Sequence, residues 1–136
     1  MFPPATLPRK LDIRQKKTIC ATWIMYKVNI IASENALFST IFGPFDMLIQ
    51  AGVFWNAIFK EPMTPYFDVK ISSVDGKVLC GPGGAKLQPH RKIQKRDRFD
   101  LVIVPSEGMR VDPSTPSFRK RVQYLNHMYE KGATIA

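Results

Sequence analysis

FDLVIVPSEG, residues 99–108, is the stretch on which the fold turns. Leu101, Val102, Ile103 and Val104 form an unbroken apolar run that Pro105 ends, because proline has no N–H to give a neighbouring strand. A continuous run, rather than strict alternation, predicts a strand covered on both faces, as in a parallel sheet. Glu107 and Gly108 then fall just beyond the carboxyl end of that strand. YKVNIIA, residues 26–32, has the same β-branched character, and ATIA, residues 133–136, is a third and shorter run.

The text between these runs predicts helices. Gly43-Pro44 followed by FDMLIQAGVFWNAIFK predicts a helix over 44–59, with Gly43 as cap, Pro44 in the first helical position and Asp46 in the first turn near the positive end of the dipole. Its residues are apolar on almost every side. Phe45, Leu48, Ile49, Phe54 and Trp55 are therefore expected in a buried or subunit-contacting surface. A second helix is expected after Ser114 or Thr115 as cap, opening on Pro116, carrying the stripe Phe118, Val122, Leu125 and Met128 or Tyr129, and closing at Gly132.

YFDVKISSVDGKVLC, residues 66–80, predicts strand, turn and strand, with Asp75-Gly76 as a hairpin signal. In the Gly- and Pro-rich segment that follows, Ala85 to Leu87 is expected at most to pair briefly at an edge, and RKIQKRD, residues 91–97, to make at most one helical turn. The order is strand, helix, hairpin strands, strand, helix, strand. That order predicts an α/β fold, a partly parallel sheet flanked by helices in three layers with right-handed crossovers.

A chain of 136 residues predicts one domain, and 45% hydrophobic against 23% charged residues is globular rather than disordered. Within it, residues 1–25, with Pro3, Pro4 and Pro8, predict a basic leader ahead of a domain over 26–136. Twenty Lys and Arg against 11 Asp and Glu give a net charge of +9, which raises the alternative of a polyanion-binding protein. The excess is concentrated in residues 1–27 and 86–98, each with six basic and one acidic side chain. No aromatic stacking platform accompanies either cluster, so both are expected to be solvated faces. Cys20 and Cys80 stand alone, with no partner at metal-ligand spacing, so no metal site is expected and a reducing cytoplasm fits. No apolar stretch approaches the length of a membrane span, and no membrane association is expected.

Parallel sheets place their chemistry beyond the carboxyl ends of the strands. The loops that qualify are SENALFST, residues 33–40, and PSEGM, residues 105–109, which makes Glu34, Thr40, Ser106, Glu107 and Gly108 the candidate ligand-pocket residues. The run GPGGA, residues 81–85, lacks the spacing of a phosphate loop. His90 and His127 are far apart in sequence, and Ser39, Ser106 and Ser114 lack the GxSxG elbow, so structural roles are expected for all five.

Taken together, Gly43-Pro44 with FDML, the strand Asp100–Pro105 with Gly108, and GATIA at 132–136 resemble the first part of a ThiJ/PfpI superfamily domain, over Tyr26 to Ala136. Within that superfamily the chain is most similar to the sensor domains fused to AraC-type DNA-binding regions. The resemblance implies a flavodoxin-like fold, a pocket for a small molecule at the strand ends, and a homodimer. It assigns DNA binding to a C-terminal helix-turn-helix region and calls for no cofactor. In the family the strand matching ATIA leads into a sharp turn that carries a nucleophilic cysteine. The chain is accordingly expected to supply the part of the domain before that elbow.

Thr40 stands where enzymatic members have an acidic residue, and Ser106-Glu107 where they commonly have a glycine pair. Both differences point to a non-enzymatic domain with no catalytic residue. The alternative that the resemblance leaves is a fragment of a hydrolase or hydratase of the same superfamily.

Overall fold

The computed structural model describes residues 24–108 and 111–136. Five strands form one parallel sheet in the order β5-β2-β1-β6-β7, with β1 at Tyr26–Ile31, β2 at Phe67–Ser73, β5 at Arg91–Lys92, β6 at Leu101–Ile103 and β7 at Thr134–Ile135. The runs at 26–32, 99–105 and 133–136 all enter this sheet, as their unbroken apolar character predicts. Central β1 pairs with β2 from Tyr26–Phe67 to Ile31–Ser72, and with β6 from Val28–Leu101 to Ile30–Ile103.

Alternation along β1 divides the core. Val28, Ile30 and Ala32 pack with Val69 and Ile71 on one face, where Ile41, Phe38, Phe45 and Leu48 cover them from helix α1, Ser39–Gln50, and its approach. Ile31 joins Val102 on the other face beneath Tyr124, Met128 and Leu125 of helix α3, Pro116–Glu130. Each fully buried aliphatic side chain contributes about 1.5–3 kcal/mol, so both faces are needed to hold so short a sheet. The result is the three-layer α/β arrangement expected from the sequence.

Several local expectations are corrected. The helix expected over 44–59 begins five residues earlier, at Ser39, so Pro44 lies inside α1 and Asp46 lies in its middle rather than its first turn. Gly43 is not a cap. What starts the helix is the loop before it: the N–H of Thr40 bonds the Leu37 carbonyl, and those of Ile41 and Phe42 bond Phe38. The helix then stops at Ala51, because Gly52 has a φ of +75° and its carbonyl faces a returning segment, accepting from the Thr64 N–H at 2.8 Å. A separate turn of helix, α2 at Phe54–Ile58, follows.

The hairpin expected at Asp75-Gly76 is not one. Strand β2 pairs on both sides with parallel partners, and β3, Leu79–Cys80, pairs antiparallel with β4, Lys86–Leu87, across a 3-10 turn at Pro82–Gly84. This small ribbon caps the α1 face of the sheet with Leu79 and Leu87. RKIQKRD makes no helical turn; its first two residues are β5 at the edge of the sheet. In α3 the cap is Thr115, whose hydroxyl accepts from the Phe118 N–H at 3.2 Å. The buried face of α3 is turned from the expected stripe: Arg121, Tyr124 and Met128 are covered, whereas Val122 and Tyr129 are exposed.

Candidate functional site

The chain leaves β1 for β2 on one side and returns to β6 on the other. The loop after β1 leads to α1 on one face and the loop after β6 leads to α3 on the opposite face, which opens a crevice between them. Backbone hydrogen bonds tie the two loops at its mouth: Leu37 N–H to the Ser106 carbonyl at 2.9 Å and Gly108 N–H to the Asn35 carbonyl at 2.7 Å, with Ala36 and Glu107 bridged between them.

Glu107 is thereby held at the strand ends with its side chain turned inward. One carboxylate oxygen, Oε1, accepts from the Ser33 hydroxyl at 2.8 Å and from Nη1 of Arg121. Arg121 is only 9% exposed, and its guanidinium lies 5.5 Å from the Phe118 ring. Burial pushes its pKa down, yet a guanidinium remains charged at any physiological pH. Its Nε is buried without a hydrogen-bond partner among the described residues.

Two cavities meet at this pair. One, of about 390 Å³, is polar: Ser33, Glu34 and Asn35 come from the β1 loop, Ser73 and Asp75 from the end of β2, and Thr115, Ser117, Lys120 and Arg121 from the start of α3. The other, of about 280 Å³, is walled by Ile31, Val104, Phe118, Val122 and Leu125, with Glu107 and Arg121 as its polar members. Phe118 and Arg121 border both.

Of the five pocket candidates, Glu34 lines the polar cavity and Glu107 the apolar one. Ser106 and Gly108 contribute backbone groups to the loop junction. Thr40 lies in the first turn of α1, its hydroxyl bonded to the Leu37 carbonyl at 2.7 Å, and lines neither cavity. Ser33 and Arg121 were not among the candidates. Arg121 could have been found by its spacing, three residues after Phe118 and four before Leu125, since a basic residue in register with an apolar stripe has its stem on the core side.

The apolar helix residues separate in the same way: Phe45 and Leu48 pack on the core, whereas Ile49, Phe54 and Trp55 are exposed. Cys80, on β3, is exposed and lines neither cavity; Cys20 lies outside the described residues. His90 accepts from the Ile71 N–H through Nδ1 at 2.9 Å and stacks on Phe45, and His127 Nε2 lies 2.9 Å from the Lys95 carbonyl. In the basic segment 86–98, Arg91 turns inward to pair with Asp97, while Lys92, Lys95, Arg96 and Arg98 stay exposed. The basic cluster of residues 1–27 lies almost wholly outside the described residues. Among the described residues no group of three or more His, Cys, Asp or Glu side chains could hold a metal, and no helix is long and apolar enough to cross a membrane.

Beneath α3 the sheet face carries a second polar cluster. Asn29, fully buried on β1, accepts from the Ser72 hydroxyl and donates through Nδ2 to the Tyr124 hydroxyl at 3.2 Å; that hydroxyl donates to Asp97 at 3.0 Å. Asp97 also receives Arg91 and the Gln94 N–H. Burial, then the Asp97 charge, raises the Tyr124 pKa well above its ordinary value. These hydrogen bonds fasten β1, β2, the segment after β5 and α3 to one another.

No protein-family model matches the chain, and no curated protein matches it. Solved structures do. A protein described as a transcriptional regulator from Vibrio parahaemolyticus is 23% identical with a TM-score of 0.59, covering 82% of this chain and 55% of that one. An AraC family transcriptional regulator from Pseudomonas putida is 21% identical with a TM-score of 0.61, over 81% of this chain and 62% of that one. A DJ-1 superfamily protein from Agrobacterium tumefaciens is 13% identical with a TM-score of 0.51, over 82% and 52%. The chain thus spans a little over half the length of these structures. At such identities the likeness is one of fold, and it agrees with the α/β fold, a parallel sheet flanked by helices, expected from the sequence.

Proposed function

We propose that the chain is a non-catalytic, ligand-sensing and dimerising domain of an AraC-type transcriptional regulator, acting in the cytoplasm, with DNA contacted by a separate C-terminal region. The likeness in fold to regulator structures supports the class. The observation that carries the sensing role is the Glu107–Arg121 pair. Glu107, turned inward at the strand ends, is engaged by Arg121 and Ser33, and the polar cavity beside it is bordered, among the described residues, by hydroxyls, an amide and charges of both signs, with neither thiol nor imidazole. Such a lining can orient a small molecule. Acyl chemistry would need a nucleophile beside a free base; the Ser33 hydroxyl does meet a carboxylate, but that carboxylate, Glu107, is already engaged by Arg121.

The test is twofold. Purified chain is offered an α-oxoaldehyde, a primary amide and an isonitrile as substrates, and its thermal unfolding is followed across a panel of small polar metabolites. The expected outcome is no turnover, with a shift of roughly 10 °C for a ligand at about a hundred times its Kd. Turnover of any of the three substrates replaces this reading with the hydrolase or hydratase one.

A further inference from the structure

Arg121 has more to offer than Glu107 takes. A guanidinium carries five N–H donors in a planar fork whose Nε edge matches a carboxylate. Here Nη1 goes to Glu107, and Nε is buried without a partner among the described residues. A buried donor left unpaired is uncommon and calls for a physical account.

The surroundings say what would complete it. Arg121 and Phe118 stand where the polar and the apolar cavity meet, and the apolar one is walled by Ile31, Val104, Val122 and Leu125. A molecule that occupies the junction therefore needs an anionic head and an apolar body. Charge limits the head. Among the described residues Arg121 is the only cation lining the apolar cavity, so a second negative charge on the ligand would have no partner there. Volume limits the body, because about 280 Å³ lies at the small end of ligand pockets.

We propose that the crevice takes a short aliphatic monocarboxylate, its head turned to the Arg121 guanidinium and its chain against Phe118, Val122 and Leu125. This inference rests on the ligand-binding reading above and narrows it to a ligand class.

The probe is sodium butyrate, titrated into the full chain by calorimetry and by thermal shift, against sodium chloride at equal ionic strength, acetate, succinate and inorganic phosphate. Saturable binding of butyrate is expected, tighter than acetate, with succinate and phosphate weaker by about tenfold or more. No saturable signal beyond chloride overturns the proposal. So does phosphate or succinate binding as tightly as butyrate, which would mark a generic anion site.

Arg121→Lys keeps the charge and removes the fork, and is expected to weaken butyrate about tenfold or more. Should that variant fail to fold, Val122→Asp, at an exposed position on the cavity wall, is expected to abolish the preference for butyrate over acetate. Retention of that preference counts against the proposal. Stabilisation by a neutral molecule with butyrate inert would sink this inference and leave the sensing role standing, whereas turnover would sink the sensing role whatever butyrate does.

Discussion

Tyr124 shows how much can depend on one hydroxyl. It accepts from Asn29 Nδ2 and donates to Asp97 in a region closed to solvent, so it is the link between β1 and the segment after β5. Tyr124→Phe strips both contacts and leaves the Asn29 Nδ2 donor without its buried acceptor, at an expected cost of about 1–3 kcal/mol in urea unfolding. The same substitution has a pH signature. Because the folded pKa is raised above the unfolded value of about 10, the folded state keeps its proton longer, and the stabilisation is full below pH 10 and falls as pH rises beyond it. The parent should therefore lose stability above about pH 10 more steeply than the Phe variant, and equal slopes for the two would contradict the assignment. At the crevice the residue-scale prediction is harsher. Glu107→Ala leaves the Arg121 charge buried and unpaired, with an expected loss of about 3–5 kcal/mol by urea or thermal unfolding, whereas Ser106→Ala, whose hydroxyl is exposed and whose carbonyl alone is used, should be nearly silent.

The helices and strands differ in how far they can be read without coordinates, and the difference is physical. Strands β1, β6 and β7 were legible because a strand buried on both faces must be apolar without interruption, and α3 because its Thr115 cap and Pro116 stand together. Strands β3, β4 and β5 are two residues each, shorter than any period, and tertiary contact alone decides their partners. At Gly43-Pro44 a local preference misled: the pair suits a helix start, but Phe38 packing on the core nucleates the first turn upstream and the proline is carried inside. Two substitutions separate these placements. Pro44→Ala supplies an N–H for the Thr40 carbonyl and removes a ring from a helix interior, so it should raise stability by about 1 kcal/mol or more; a proline in the first helical position would give no such gain. Gly52→Ala should cost about 2 kcal/mol or more in chemical unfolding, since its φ is left-handed and a β-carbon would overlap the Thr64 carbonyl oxygen. In the crevice, the loops could be read from strand order, whereas Arg121 shows in the sequence only through its spacing from Phe118 and Leu125.

At the scale of the molecule the unresolved tension lies between charge and greasiness. Met47 is 77% exposed, Trp55 64% and Phe54 57%, and with Ile58, Phe59 and Met63 they put large apolar side chains on the surface contributed by α1, α2 and the segment after them. An apolar surface of that kind on a folded domain marks an interaction site. The occupant we favour is a second copy of the chain, as in the proposed function. A net charge of +9 on each copy opposes that association. Salt screens the repulsion over roughly 8–10 Å near physiological ionic strength and leaves apolar contact intact. Sedimentation velocity of the full chain should therefore show a dimer whose dissociation constant falls as sodium chloride is raised. An interface built on ion pairs would respond in the opposite direction. The double variant Phe54→Ser, Trp55→Ser should sediment as a monomer at every salt concentration while keeping the parent's far-UV circular dichroism, because both side chains are largely exposed in the single chain. If that variant dimerises as the parent does, the contact lies on another face, and the apolar helix surface has lost its role in assembly.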